Sequence, residues 1–257
     1  MNIRSVSIAA LRYMMLGWDE CIMKPFVRTW PKRAGKKILC FGDSNTWGSI
    51  PVTGLRYPFR VRWPGALQAA LGQGFVIIEE GRNGRTTVLD DLNQRGCNGK
   101  PALKQALHVH HPLVLVILLL GTNDLKNSFD RDAEAIAQGV QELGQIVLSN
   151  EQSSRGIAPM LLLVAPPMVR GEAHRSGLFR GVDVKSSFLA EQYRVVADRL
   201  GCEFFDAGAI IQSSREDGVH WDKEAHEMLG RELAQCVKDM FVSKGLYVKK
   251  SCATDEP

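Results

Sequence analysis

Leu113-Val-Leu-Val-Ile-Leu-Leu-Leu-Gly-Thr-Asn-Asp124 decides the fold. Its apolar run, Leu113 to Leu120, lacks the alternation that marks a strand with one wet face. Such a strand is buried on both faces, as central parallel strands are when helices cover the sheet from either side. At Gly121 the run stops, and residues suited to turns and to chemistry take over.

The same pattern recurs outward from it. Shorter β-rich runs lie at Lys37–Phe41, Phe75–Glu80, Met160–Val164 and Glu203–Phe205. Segments of helical period separate them, near Trp63–Leu71, Ala102–His108, Asp132–Ser149, Ser187–Leu200 and Lys223–Val242. Asp222 stands where its carboxylate would cap the last helix. Alternating strands and helices with right-handed crossovers predict an α/β chain, a doubly wound three-layer α/β/α sandwich around a five-stranded, mainly parallel sheet. No repeat, low-complexity tract or linker interrupts the chain after Lys37. The expectation is one domain over 37–243, an N-terminal extension over 1–36 and a basic tail over 244–257.

Composition narrows the function classes. The 257 residues are 45% apolar and 23% charged, ordinary for a globular protein. The net charge of +4 gathers near the ends, in Lys32, Arg33, Lys36 and Lys37 and in Lys244, Lys249 and Lys250. Solvated ends of this kind are no nucleic-acid footprint. No apolar run approaches the length of a bilayer crossing. Ser5 to Trp18 is fairly apolar, but Arg12 interrupts it and Asp19-Glu20 occupy the place of a signal cleavage site. That segment also lacks a strong cationic face, so stable membrane insertion is not expected. The six cysteines (Cys21, Cys40, Cys97, Cys202, Cys236, Cys252) form no C-x-x-C pair, and Cys40 and Cys202 lie in apolar runs. Cysteines used this way point to a reducing compartment, the cytoplasm.

In open parallel sheets, sites form beyond the carboxyl ends of the strands. There the sequence places Gly42-Asp-Ser-Asn-Thr46, Gly81-Arg-Asn-Gly-Arg85, Gly121-Thr-Asn-Asp124 and Asp217-Gly-Val-His220. Ser44 opens a turn toward a helical segment, where free backbone N–H groups favour developing negative charge. A plain helix cap explains that serine equally well, whereas a phosphate loop would need the absent G-K-[ST] ending. A serine hydroxyl is a poor nucleophile until a base takes its proton. His220 can be that base, with Asp217 holding its other ring nitrogen; the alternative is an Asp-Gly turn beside a surface histidine. Asn123 can aim an amide at an oxyanion, and Gly84 and Ser44 offer backbone N–H groups, though turn chemistry alone would also place them here.

Other residues read more simply. Arg82, Arg85, Thr86 and Thr87 are structural or surface groups. His108, His110 and His111 resemble metal ligands, but they precede a strand on the edge opposite the site and lack a partner cluster at ligand spacing. His174 and His226 read as surface residues. The stretch from Arg170 to Asp183 would wall the pocket, with Arg170, Arg175 and Arg180 as ordinary exposed arginines.

Together, Gly42-Asp-Ser44, Gly84, Gly121-Thr-Asn123-Asp124 and Asp217-Gly-Val-His220 resemble the four blocks of the SGNH (GDSL-type) hydrolase family, in its order and at compatible intervals. More locally, Ile38 to Ser44, Thr46-Trp-Gly48, Arg85-Thr-Thr87 and Leu120 to Lys126 are similar to its bacterial arylesterase and acyltransferase branch. The resemblance implies the flavodoxin-like SGNH hydrolase fold and a serine esterase acting on a small-molecule ester, one of small size or short acyl chain. It implies Ser44 as nucleophile, His220 as base, Asp217 as its orienting carboxylate, and Ser44, Gly84 and Asn123 as the oxyanion hole. It implies no metal and no organic cofactor, and a homo-oligomer as in related chains. Thioesters, lysophospholipids and acetylated carbohydrates are alternative substrates, and acyl transfer to alcohols is an alternative outcome. A non-catalytic protein of the same fold would be expected to have lost part of this set, and a flavodoxin-like nucleotide binder would not need the Asp217/His220 pair. Asn83-Gly84 departs from the family's usual Ser-Gly or Ser-Ala, which a backbone donor tolerates. Met1–Lys36 has no family counterpart and inherits no function.

Overall fold

Strands β1 (Lys36–Gly42), β2 (Phe75–Gly81), β3 (Leu115–Leu119), β4 (Met160–Ala165) and β5 (Glu203–Asp206) form one sheet in the order β2-β1-β3-β4-β5. The computed structural model describes residues 35–149 and 158–246. The expected extension and basic tail, with Cys21 and Cys252, therefore fall almost wholly outside the described residues. Each neighbouring pair of strands is parallel, so the sheet expected to be mainly parallel is parallel throughout.

Among the described residues, seven α-helices accompany the strands: α1 (Ser44–Trp47), α2 (Trp63–Leu71), α3 (Gly99–His110), α4 (Ala133–Leu148), α5 (Asp183–Ser187), α6 (Leu189–Leu200) and α7 (Lys223–Ser243). Leu39, Phe41, Val116, Leu118, Leu161 and Leu163 cluster with residues of α3, α4 and α6 on one face of the sheet. Their strand neighbours Ile38, Cys40, Leu115, Ile117 and Leu162 are buried too, and the pleat turns them to the other face. On that side α2 packs along α7, and Phe241 of α7 meets Phe75 of β2 edge-on with ring centroids 5.4 Å apart. The unbroken apolar run around β3 is thus the signature of a strand with helices on both sides.

Differences from the expected elements have local causes. Helix α3 begins at Gly99 rather than Ala102, because the Asn98 side chain caps it by accepting from the Lys100 N–H at 2.9 Å. The helix expected from Ser187 to Leu200 is α6, starting at Leu189, and the short α5 precedes it and ends at Ser187. Asp222 occupies the N-cap position of α7 with extended backbone, but its side chain makes no capping bond. No helix among the described residues is long and apolar enough to cross a membrane.

His226, expected at the surface, is fully buried. It lies on the stripe that carries Leu229, Gly230, Leu233, Ala234 and Val237 into the core, so helical periodicity overrides its polarity. Its ring sits 5.4 Å from those of Tyr57 and Trp221, and neither ring nitrogen has a hydrogen-bond partner. Burial, followed by the charges of His220 and Arg62, pushes its pKa down to about 3. A neutral buried imidazole contributes fully above the unfolded pKa of 6.5, and its contribution drains away as pH falls toward 3. His226→Phe keeps the ring contacts without the titration. The difference in unfolding free energy between variant and wild type should therefore shift in the variant's favour between about pH 7 and about pH 4. Urea melts across that range read this directly, and a pH-independent difference would refute it.

Candidate active site

The strand order places a topological switch between β1 and β3, since the chain leaves β1 toward β2 and returns to β1's other side for β3. Beyond the carboxyl ends of these two strands a crevice opens. Ser44, Gly84, Asn123, Asp217 and His220 all line one cleft there, of about 350 Å³.

Ser44 leaves β1 by way of Gly42 and Asp43 and starts α1. The capping role belongs to Asp43 instead, whose carboxylate accepts from the Asn45 N–H at 2.9 Å. The serine hydroxyl is left to face the cleft, with its Oγ 3.1 Å from His220 Nε2. The other ring nitrogen, Nδ1, is 2.7 Å from Asp217 Oδ2. Asp217 Oδ1 accepts from the Val219 and His220 N–H groups at 3.0 and 2.9 Å, which locks the turn. Burial raises the Asp217 pKa, but the His220 ring bond and these backbone bonds outweigh it and bring it to about 2. Asp217 is thus ionised opposite the imidazole at neutral pH.

The turn itself demands glycine. Gly218 has φ +74°, and a Cβ there would stand 2.4 Å from Ala173 N and 2.9 Å from Arg170 O. The Arg170 N–H donates to the Gly218 carbonyl at 2.8 Å, tying the expected pocket wall to the turn. Asn45 Nδ2 donates to the Val219 carbonyl at 3.3 Å and fastens the Ser44 segment to the same turn.

On the opposite side of the cleft, Asn123 opens the short 3-10 turn Asn123–Leu125 beyond β3. Its Nδ2 donates to the Arg85 carbonyl at 3.1 Å, which fixes the amide's orientation and leaves the second N–H of that nitrogen for the cleft. Gly84, at φ +77°, lies in the adjoining loop, where the turn bond runs from the Arg85 N–H to the Arg82 carbonyl.

Several supporting groups were not singled out from sequence. Arg85, read as structural or surface, is buried; its Nη1 donates to the Gly42 and Glu80 carbonyls and its guanidinium lies 4.2 Å over the Phe41 ring. Asp124 is buried and accepts from the Thr87 N–H and hydroxyl. Asp43 and Asp124 are raised to about 6 and about 7, in each case first by burial. Lys126, buried on the cleft wall, pairs with half-buried Asp91 at 3.0 Å. Hydrophobic patterning is blind to such buried polar residues, and only their nearness to the motifs hinted at them.

The remaining expectations divide. Ser176, Leu178 and Phe179 do line the cleft, as expected of the Arg170–Asp183 stretch. Arg170 pairs with Gln212 and Glu172, whereas the side chains of His174 and Arg175 lie outside the described residues. His110 Nε2 lies 2.7 Å from Glu80 Oε1 in an ordinary pair. Among the described residues, no group of three or more His, Cys, Asp or Glu could hold a metal ion.

Comparison with known proteins gives the family of the chain. No curated protein matches the chain. Among solved structures, a carbohydrate acetylesterase from Sinorhizobium meliloti is 43% identical, covering 80% of this chain and 100% of its own, with a TM-score of 0.76. The native aryl esterase of M. smegmatis is 39% identical over 80% of this chain and 99% of its own, with a TM-score of 0.77. A lipase/acylhydrolase from Enterococcus faecalis, 17% identical over 80% of this chain and 96% of its own at a TM-score of 0.57, shares the fold. The GDSL-like lipase/acylhydrolase family matches residues 40–228. With that match spanning most of the chain, the protein belongs to the GDSL-like lipase/acylhydrolase family and is a carboxylic ester hydrolase.

Proposed function

We propose that Ser44 is the nucleophile of an esterase for small or short-acyl esters, with His220 as general base and Asp217 as its orienting carboxylate. The observation that carries this reading is the unbroken chain Ser44 Oγ, His220 Nε2, His220 Nδ1 and Asp217 Oδ2, with links of 3.1 and 2.7 Å. In the first step Ser44 Oγ attacks the acyl carbonyl and passes its proton to His220 Nε2. The oxyanion that forms is held by the Ser44 and Gly84 N–H groups and the free N–H of Asn123 Nδ2. Collapse expels the alcohol, which takes the proton from His220. Water, activated by the same imidazole, then attacks the acyl-serine and releases the carboxylic acid. A second alcohol in place of water would complete an acyl transfer.

The cleft supports a modest substrate. Its volume is at the low end for ligand pockets. Its lining mixes apolar groups, Ile50, Val52, Leu178 and Phe179, with polar ones, Ser49, Asn83, Gln94 and Lys126. The polar groups favour a second reading, in which the alcohol half of the ester carries hydroxyl groups, as in an acetylated sugar. The relative named as a carbohydrate acetylesterase is consistent with that, and the relative named as an aryl esterase with the broader one.

The hydrolase domain is assigned to 37–243. The cysteines at 40, 97, 202 and 236 are free thiols, which supports the cytoplasm as its compartment. Neither a nucleic-acid partner nor an organic cofactor enters this reading, and a homo-oligomer remains an expectation that gel filtration would check.

Hydrolysis of p-nitrophenyl acetate, butyrate and octanoate by the wild type, beside Ser44→Ala, tests the assignment. Ser44→Ala and His220→Ala should each lower kcat roughly a million-fold, because nucleophile and base act as one unit. Retention of substantial turnover by either would refute the roles. Asp217→Asn should lower kcat less, by roughly ten-thousand-fold. Asn123→Ala should lower kcat by roughly a hundred- to a thousand-fold with little change in KM. A pure KM effect there would remove Asn123 from the oxyanion hole. Activity should fall from acetate to octanoate, and acetate release from acetylated sugars at rates rivalling the aryl acetates would establish the second reading.

A further inference from the structure

Val52 adopts φ +63°, the left-handed region that β-branched residues avoid. It sits at the tip of a hairpin whose base is heavily tied. Ser49 and Arg56 form an antiparallel bridge, the Ile50 N–H donates to the Leu55 carbonyl at 2.9 Å, and the Tyr57 N–H donates to the Gly48 carbonyl at 2.8 Å. Arg56 adds bonds to the Trp47 carbonyl and to Glu79. A base this well determined can hold its tip in an unfavourable conformation, and such outliers cluster at functional sites.

Two consequences of that conformation meet at the active site. The Val52 N–H donates to Asp217 Oδ2 at 3.2 Å, the same oxygen that faces the His220 ring. Val52 also lines the cleft, with 71% of its surface exposed. An isopropyl group held in water at the rim of an ester cleft, by a backbone that disfavours it, needs a compensating contact. We infer that Val52 is both a positioning residue for Asp217 and a specificity-determining residue. Its N–H is a further donor that aligns the carboxylate on His220, and its side chain meets the apolar part of the ester. The hairpin from Ser49 to Arg56 thereby couples the substrate rim to the proton relay. This inference rests on the reading of Asp217 as the carboxylate that orients His220.

Two substitutions separate the roles. Replacing Val52 by its α-hydroxy acid turns one backbone amide into an ester, deleting the N–H while keeping the side chain. It should lower kcat about ten-fold on every p-nitrophenyl ester with KM unchanged, since small misalignments are expensive in rate. In the Asp217→Asn background the same change should have no further effect. Val52→Gly keeps the N–H and suits the positive φ, so its melting temperature should not fall. It should raise KM for the butyrate about three- to ten-fold relative to the acetate, with kcat little changed. Unchanged kcat in the α-hydroxy variant, or an equal loss in the Asp217→Asn background, would overturn the positioning role. An unaltered acetate-to-butyrate preference in Val52→Gly would overturn the specificity role. Full activity in Asp217→Asn alone would bring down the triad reading and this inference with it. A crippled Asp217→Asn beside a silent α-hydroxy variant would bring down this inference only.

Discussion

The parallel pairing of β1 with β3, in the register that sets Gly42 opposite Leu119, is the constraint on which the site depends. It ends both strands at the same level, so Ser44 and Asn123 emerge side by side from the carboxyl edge of the sheet. The pairing is deeply buried, and the core residues Leu39, Phe41, Val116 and Leu118 hold it without any contribution from the chemistry. A slip of one residue would invert which of these side chains face α3 and α4 and would also separate Ser44 from Asn123. Hydrophobic burial thereby sets the spacing of two groups proposed to act together.

Around that frame, buried polar ties join the segments that surround the developing charge. Arg85 reaches from the Gly84 loop to the Gly42 carbonyl, two residues before Ser44, and the Arg85 carbonyl takes one N–H of Asn123. Thr87, two residues on, binds Asp124, the neighbour of Asn123. Each donor of the proposed oxyanion hole is therefore fastened to the segment beside it. Burying carboxylates in this way is unfavourable, and burial accordingly raises both Asp43 and Asp124. The return is a cluster of dipoles that need not reorganise when negative charge appears. Charge is graded across the site: well-bonded Asp217, on the turn, is brought down to about 2, while fully buried Asp43 is raised to about 6.

How far sequence alone reached follows from which signals are local. The five strands and the long helices were legible because apolar period reports burial directly, and Leu113 to Leu120 could be little else than a central strand. The motif residues were legible because their types carry the chemistry, and the structure places Ser44, Gly84, Asn123, Asp217 and His220 around one cleft. His226 departs from the surface position its polarity suggests because its place on the α7 stripe decides, and the sequence carries that period. Arg85 and Asp124 were not legible as internal ties, since a buried arginine or aspartate is defined by partners distant in sequence. The strained hairpin tip at Val52 had no sequence signal, because positive φ is foreseen at glycine and asparagine rather than at valine.

The division of labour within the cleft has a further consequence. Every group proposed for bond making and breaking stands on a strand end or a turn locked by backbone bonds. The walls come from the hairpin Ser49–Arg56 and the segment Arg170–Asp183, which are loops laid against that frame. Loops accept substitution without loss of the core, so substrate preference can drift while the acyl chemistry stays in place. Two relatives of similar likeness, 43% and 39% identical, are named for different esters, as this arrangement would lead one to expect. Where a wall and the proposed chemistry touch, as at the Val52 N–H on Asp217, that independence narrows: a side chain of the hairpin can change with the preference alone, whereas a shift of its backbone would also change the rate.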